Sequence, residues 1–260
     1  MVNNAIASAG RGADRRRRSI VPTTQHADEQ ARRNKRARLL TPDFSLVRHL
    51  GTFGGLATSG LATAGWLMRH ARVRDLWIVP IYLVVANLAE YFFHRVLMHR
   101  PLWPRALYRG HTLGHHRAFH HDSMPIDDWH ELELVMMPAL TIGIFFAGIA
   151  PVVALVAWGL GDGVAGLLLL TAIGTFVGYE GLHTLYHLPP GLLQRRGLAG
   201  NRAFAWLYSH HRHHHRLSRM RWMNFNISMP LCDRLFGTVE DEQAWLAQRE
   251  APPVVESKAS

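Results

Sequence analysis

The feature that most constrains this chain is residues 134–160, an apolar run with neither a charge nor a histidine. About 20 apolar residues in a helix cross the hydrocarbon core of a bilayer, so this run has the length to span one. Three more apolar runs accompany it. Residues 50–68 are rich in Gly, Ala and Thr, with Gly51 and Gly55 at GxxxG spacing, and small residues of this kind suit close helix packing. Residues 76–93 are interrupted near their end by Asn87 and Glu90, and residues 164–177 continue into Tyr179, Glu180, His183, Tyr186 and His187. Pro138 and Pro151 predict kinks. The connections 69–75 and 159–163 leave room only for tight turns between antiparallel neighbours. The expectation is an all-α integral membrane fold of about four transmembrane helices in two hairpins. Two runs meet the length easily and two lie at its limit, so hairpins that enter deeply without crossing also fit.

The mean hydropathy of −0.03 averages these runs with very polar ends. Residues 1–40 carry ten Lys or Arg against Asp14, Asp28 and Glu29, or +7 of the formal +10. Residues 1–43, with the run Arg15-Arg16-Arg17-Arg18, lack the apolar core of a secretory signal and read as a disordered basic arm. A nucleic-acid tail would use such charges on phosphate, but no recognition fold follows, so no nucleic-acid partner is expected. An organelle-targeting arm is a weaker alternative. Beside a membrane, each Lys or Arg near anionic lipid contributes about 1 kcal/mol. The positive-inside rule then places both termini, and the polar segments on the same side as the arm, in the cytoplasm; in a bacterium the membrane would be the inner one. Arg69, Arg72 and Arg74 argue the other way and are outnumbered. Residues 44–240 form the expected membrane-embedded domain, and 241–260 a polar tail.

All but His26, His49 and His70 of the 18 histidines fall in the windows 94–130, 183–187 and 210–215. The first window includes His94, His99, His111, His115, His116, His120 and His121, directly after an apolar run. One site explains this better than scattered side chains, and that many imidazoles implies more than one metal ion. The lone Cys232 excludes an internal disulfide and any thiolate cluster, so nitrogen and oxygen must be the ligands. Each half of the chain pairs helices, ends the second helix in a histidine pair and follows it with a histidine-rich polar segment. Two such halves would suit a site between them.

At 100° per residue His183 and His187 share a helix face, as do His111 and His115. An HxxHH motif would put its three imidazoles on one face. His94 and His99, five apart, can face one site only if the helix ends or distorts between them. In HHRHHH (residues 210–215) two registers satisfy HxxHH, His210/His213/His214 and His211/His214/His215. A lone histidine such as His26, His49 or His70 reads as solvent-facing or locally satisfied.

The set H94-RVLM-H99, H111-TLG-H115-H116, H183-TLY-H187 and H211-RH-H214-H215 resembles the fatty acid hydroxylase / sterol desaturase superfamily of membrane, histidine-rich di-iron enzymes. That family's pattern is HX3–4H, HX2–3HH, HX3H and HX2HH. Asn224-Phe225-Asn226, Pro230-Leu231, Asp233 and Leu235-Phe236-Gly237-Thr238 are similar to its closing segment, so the likeness covers roughly residues 75–238. Three residues rather than the commoner two precede the second HH, and Asn226 stands where many relatives have Gly. The resemblance implies two iron ions held by His94, His99, His111, His115, His116, His183, His187, His211, His214 and His215. It sets His213 at a non-ligand position pointing to solvent or headgroups, with His210 as a hydrogen-bonding neighbour. O2 and a membrane lipid (acyl, sterol or carotenoid-like) would be the substrates of a hydroxylation or desaturation, with a helical cap carrying the site on the cytoplasmic face. No haem or flavin motif is present, so electrons would come from a separate donor of ferredoxin or cytochrome b5 type. Glu180, three before His183, is expected to orient it rather than bind metal. Asp122, His121 and Asn224 are further supporting candidates.

A metal transporter or a membrane metal-binding protein without oxygenase activity is the competing class. Transport sites place ionisable groups near the bilayer centre. Residues 50–68, 142–157 and 164–177 hold none, which argues against conduction.

Overall fold

Every regular element among the described residues is helical. The computed structural model describes residues 27–241 and residue 243. The first 26 residues, with the four-arginine run, and nearly all of the 241–260 tail lie outside them.

Helix α1 spans residues 27–37. Helix α2 (Leu46–Met68) starts where the Ser45 side chain accepts from Arg48 N, a standard N-cap. A 3-10 turn (Val73–Trp77) follows, opened by Asp75 accepting from Arg72 N. Helix α3 (Ile78–Phe92) runs directly into a π-helical turn, Phe93–Met98. The cap segment contains α4 (Arg105–Tyr108), a second π turn (Arg109–His115), α5 (His116–Ala118) and α6 (Leu132–Val135). Helices α7 (Thr141–Leu160) and α8 (Asp162–Tyr186) form a hairpin closed at Gly161, whose φ of 95° suits a residue without Cβ. Short helices α9 (Pro190–Arg195), α10 (Arg202–His214) and α11 (Leu231–Leu235) complete the cap.

Three segments are long and apolar enough to cross a membrane: Val73–Met98, Thr141–Leu160 and Asp162–Tyr186. Helix α2 has 23 residues but is not among them, being diluted by its Gly and Thr content. Helix α8 is central, packing against α2, α3 and α7, while α3 and α7 leave most of their apolar surface outward. In water that surface would be a liability; in a bilayer it is solvated by lipid. Pro151 lies inside α7, whereas Pro138 precedes it and its carbonyl accepts from Thr141 N.

Small residues do bring α2 and α8 together, but not at the expected GxxxG pair. A Cβ at Gly51 or Gly55 would meet nothing within 4 Å. The close approach is at Gly60, where a Cβ would lie 2.9 Å from Ile173 Cδ1 of α8 and 2.6 Å from Phe146 Cζ of α7, and at Gly166, where it would lie 2.7 Å from Met68 N. Ala64 and Ala165 are fully buried in the same seam.

The described part of the stretch read as a disordered arm is ordered instead. Helix α1 lies on the cap, with Arg32 and Arg33 facing Asp127 and Arg36 completely buried. Composition could not separate these arginines from solvated ones, because the acids that draw them in lie some ninety residues later in the chain.

Candidate metal centre

Two groups of five histidines sit where the apolar helices enter the cap. His94, His99, His111, His116 and His214 form the first; His115, His183, His187, His211 and His215 form the second. Within each group one nitrogen per ring lies within 4.8 Å of all the others, and all are buried except the half-buried His111. The groups abut, with the rings of His116 and His215 4.4 Å apart between centroids. The structure therefore brings together all ten histidines that the resemblance implies.

It does not divide them motif by motif. His111 and His116 belong to the first group but His115 to the second; His211 and His215 belong to the second but His214 to the first. The expectation that an HxxHH motif presents one face is corrected in both motifs: a π turn redirects the first, and the second divides at the end of α10, where His215 is the C-cap. An i→i+5 bond stacks residues five apart on one side of the chain. The turn Phe93–Met98 brings His94 and His99 together, and the turn Arg109–His115 does the same for His111 and His116. Adjacent residues then point into adjacent groups. Each half of the chain lends one histidine across the seam: His214 joins the first half's four, and His115 the second half's four.

Backbone carbonyls fix the rings. Nδ1 of His115 bonds Leu134 O (2.8 Å), that of His187 bonds Met124 O (2.9 Å), that of His214 bonds Met223 O (2.8 Å) and that of His215 bonds Phe119 O (2.6 Å). His94 Nδ1 bonds Phe225 O in the same way. A carbonyl only accepts, so each Nδ1 carries the proton and each Nε2 keeps its lone pair. His99 reaches the same tautomer through Thr112. That hydroxyl spends its hydrogen on Met98 O (2.7 Å) and so accepts from His99 Nδ1 (3.2 Å).

The Nε2 atoms then face one another. His99 and His214 approach to 3.0 Å, and His115 and His215 to 3.2 Å. With both Nδ1 atoms protonated, these are lone pair against lone pair and not hydrogen bonds. Burial, reinforced by neighbouring imidazoles, pushes His99 down to about 2 and His115 to about 4. His111, His116, His187, His211, His214 and His215 are held well below the usual imidazole range by burial first and by neighbouring histidines next. Neutral rings with converging lone pairs, and no carboxylate in either group, are a donor set for a metal ion of the imidazole-accepting kind. Each group could hold one.

The supporting candidates fare differently. Glu180 is buried, but one carboxylate oxygen accepts from Met137 N (3.1 Å) and the other has no hydrogen-bond partner among the described residues. It secures the turn after α6 and does not hold His183. Asp122 is exposed and accepts a long hydrogen bond from Ser123 Oγ (3.5 Å). His121 Nε2 lies 2.9 Å from Arg216, and its ring is tilted against that of His213 with centroids 5.5 Å apart. His213 is in neither group, yet it is only 1% exposed, so it points into the cap beside His121 and not towards solvent or headgroups. His210 Nε2 bonds Asp233 (3.1 Å).

Asn224 is a clasp. It is the one non-glycine residue with positive φ (59°) among the described residues. Its side chain donates to His210 O (2.9 Å) and Glu240 O (2.8 Å) and accepts from Glu240 N (2.7 Å). The neighbouring Asn226 does not have a positive φ.

Sequence reasoning assigned no role to Asp233, Glu90 or Asn87. Asp233 accepts from Phe225 N (2.9 Å), Asn226 N (2.7 Å) and Thr238 Oγ1 (2.7 Å) besides His210. Glu90 accepts from the backbone of Ile227 and Ser228 and from Ser228 Oγ, and Asn87 brackets Met229, Cys232 and Asn226. Polar residues interrupting an apolar run, at 87 and 90, were the available signal. Together these groups hold the closing segment whose carbonyls orient His94 and His214.

An all-helical membrane scaffold presenting ten inward-turned imidazoles defines a histidine-rich membrane metalloprotein. Residues 79–238 match the family model described as fatty acid hydroxylase, and the chain belongs to that family. No curated protein and no solved structure matched.

Proposed function

We propose that the protein is a membrane lipid hydroxylase that uses O2 at two iron ions, one in each histidine group, on the cytoplasmic face. The observation that carries this reading is the pair of five-histidine groups with Nε2 lone pairs converging at the ends of the apolar helices. Two irons when bound would supply O2 reduction and cleavage of an unactivated C–H bond.

The chain's own residues supply position and shielding. The carbonyls of Phe119, Met124, Leu134, Met223 and Phe225 hold the rings in the metal-binding tautomer. Burial excludes water from the groups. His94 and His183 lie on the membrane helices themselves, so an acyl, sterol or carotenoid-like chain reaches the site from the bilayer between helices. Hydroxylation consumes one O2, two electrons and two protons and releases water. The electrons are assigned to a separate ferredoxin- or cytochrome b5-type donor docking on the cap. The basic residues of α1, on the cap side, favour a cytoplasmic cap.

Sealed vesicles of both orientations, given a reduced donor of each type and isotopically heavy O2, test this reading. The expected result is a lipid carrying one heavy oxygen atom, formed only when the cap faces the donor. A new double bond without heavy oxygen would make the enzyme a desaturase. Iron-loaded protein that forms no oxygen-dependent product from any bilayer lipid would leave a metal-binding protein without oxygenase activity.

A further inference from the structure

Arg36 lies well before residues 79–238, which the family model matches, and is 0% exposed. A buried guanidinium costs several kcal/mol of desolvation unless its donors are all used. Here they are. Nε donates to Ala118 O (2.9 Å), Nη2 to Ser123 O (2.5 Å), and Nη1 to Pro125 O (3.0 Å), Glu131 (2.8 Å) and Asp127 (3.3 Å). Its planar face covers the ring of Phe119, 4.4 Å from the centroid.

The three carbonyls it takes are those of residues 118, 123 and 125. The interleaved carbonyls belong to Phe119 and Met124, and these hold His215 Nδ1 and His187 Nδ1. Residues 119–128 form no helix that would set peptide directions by itself. The three carbonyls that Arg36 holds therefore constrain which way the carbonyls between them point. Ile126 N also donates to His187 O (2.8 Å), closing the loop on the same histidine. The first group takes its anchors elsewhere: Phe225, Met223 and Thr112.

We propose that Arg36 is a positioning residue for the second histidine group: by fixing the 118–131 loop it sets the two carbonyls that turn His187 and His215 inward. The proposal rests on the metal-binding reading of that group. It makes a residue of the N-terminal helix, outside the family's matched region, part of the support for the metal centre.

Co2+ is the probe, because its visible absorption reports coordination directly. The full chain is prepared in two backgrounds: His99→Ala/His214→Ala, which leaves the second group intact, and His187→Ala/His215→Ala, which leaves the first. Arg36→Ala is expected to weaken Co2+ binding about 10–100-fold in the first background, with an altered spectrum, and to leave the other background unchanged. Arg36→Lys keeps the charge but not the fork, and recovers only part of the affinity. It also supplies the same comparison if Arg36→Ala does not fold. Arg32→Ala, which removes a half-buried partner of Asp127 that touches none of the loop carbonyls, changes neither background. Equal weakening of both groups, or no change in either, would overturn the positioning role. Absence of Co2+ binding in both parent backgrounds would instead overturn the metal reading itself.

Discussion

Alanine at His214, His211 or His215 is expected to abolish product formation, and each substitution should empty a specific group. His214→Ala should release the metal of the first group, and His211→Ala or His215→Ala that of the second, because the structure places these rings on opposite sides of the seam. His213→Ala should keep most of the activity and both metals. Its ring packs beside His121 inside the cap, so the cost should be in stability, about 1–3 kcal/mol. Metal analysis and turnover of the four variants check this. A dead His213→Ala beside an active His215→Ala would shift the register by one residue and refute the assignment.

Asp233→Asn should be the most damaging change away from the ten histidines. The carboxylate is fully buried and accepts four hydrogen bonds, from Phe225 N, Asn226 N, Thr238 and His210. Burial alone would raise its pKa, but these donors outweigh burial and hold it below the ordinary value. The stability it contributes is therefore present above the ordinary carboxylate pKa and lost as pH falls through the lower folded value. An amide turns an NH2 towards donors that need an acceptor. The expected loss is about 3–5 kcal/mol, the scale for removing one partner of a buried pair. The Phe225 carbonyl that holds His94 sits beside one of the lost bonds, so metal should also be lost from the first group before the second. Thermal denaturation in detergent with metal analysis decides it; an unchanged melting temperature and full metal content would remove Asp233 from the account.

The clustering of histidines was legible because their crowding at the ends of apolar runs has no ordinary solvation explanation; which of them form the set of ten came from the resemblance, since two registers of residues 210–215 fit the spacing. The all-helical membrane class was legible for a similar reason, since 134–160 has no other stable environment. The division into two groups was not legible. Helical projection at 100° per residue places His111 with His115, and only the π turns reassign His111 to His116. Glu180 had the right spacing to serve His183, but a backbone donor, Met137 N, takes its carboxylate. Arg36 was invisible for a third reason. One arginine among ten basic residues carries no local sign that three distant carbonyls and two carboxylates will enclose it.

The most direct test of the account is the iron content of the full chain, purified in lipid nanodiscs, loaded under anaerobic conditions and shown to turn over. The account predicts two irons per chain, with one retained in His214→Ala and one in His215→Ala, each giving a distinct Mössbauer signature. An active sample holding a single iron per chain would contradict it.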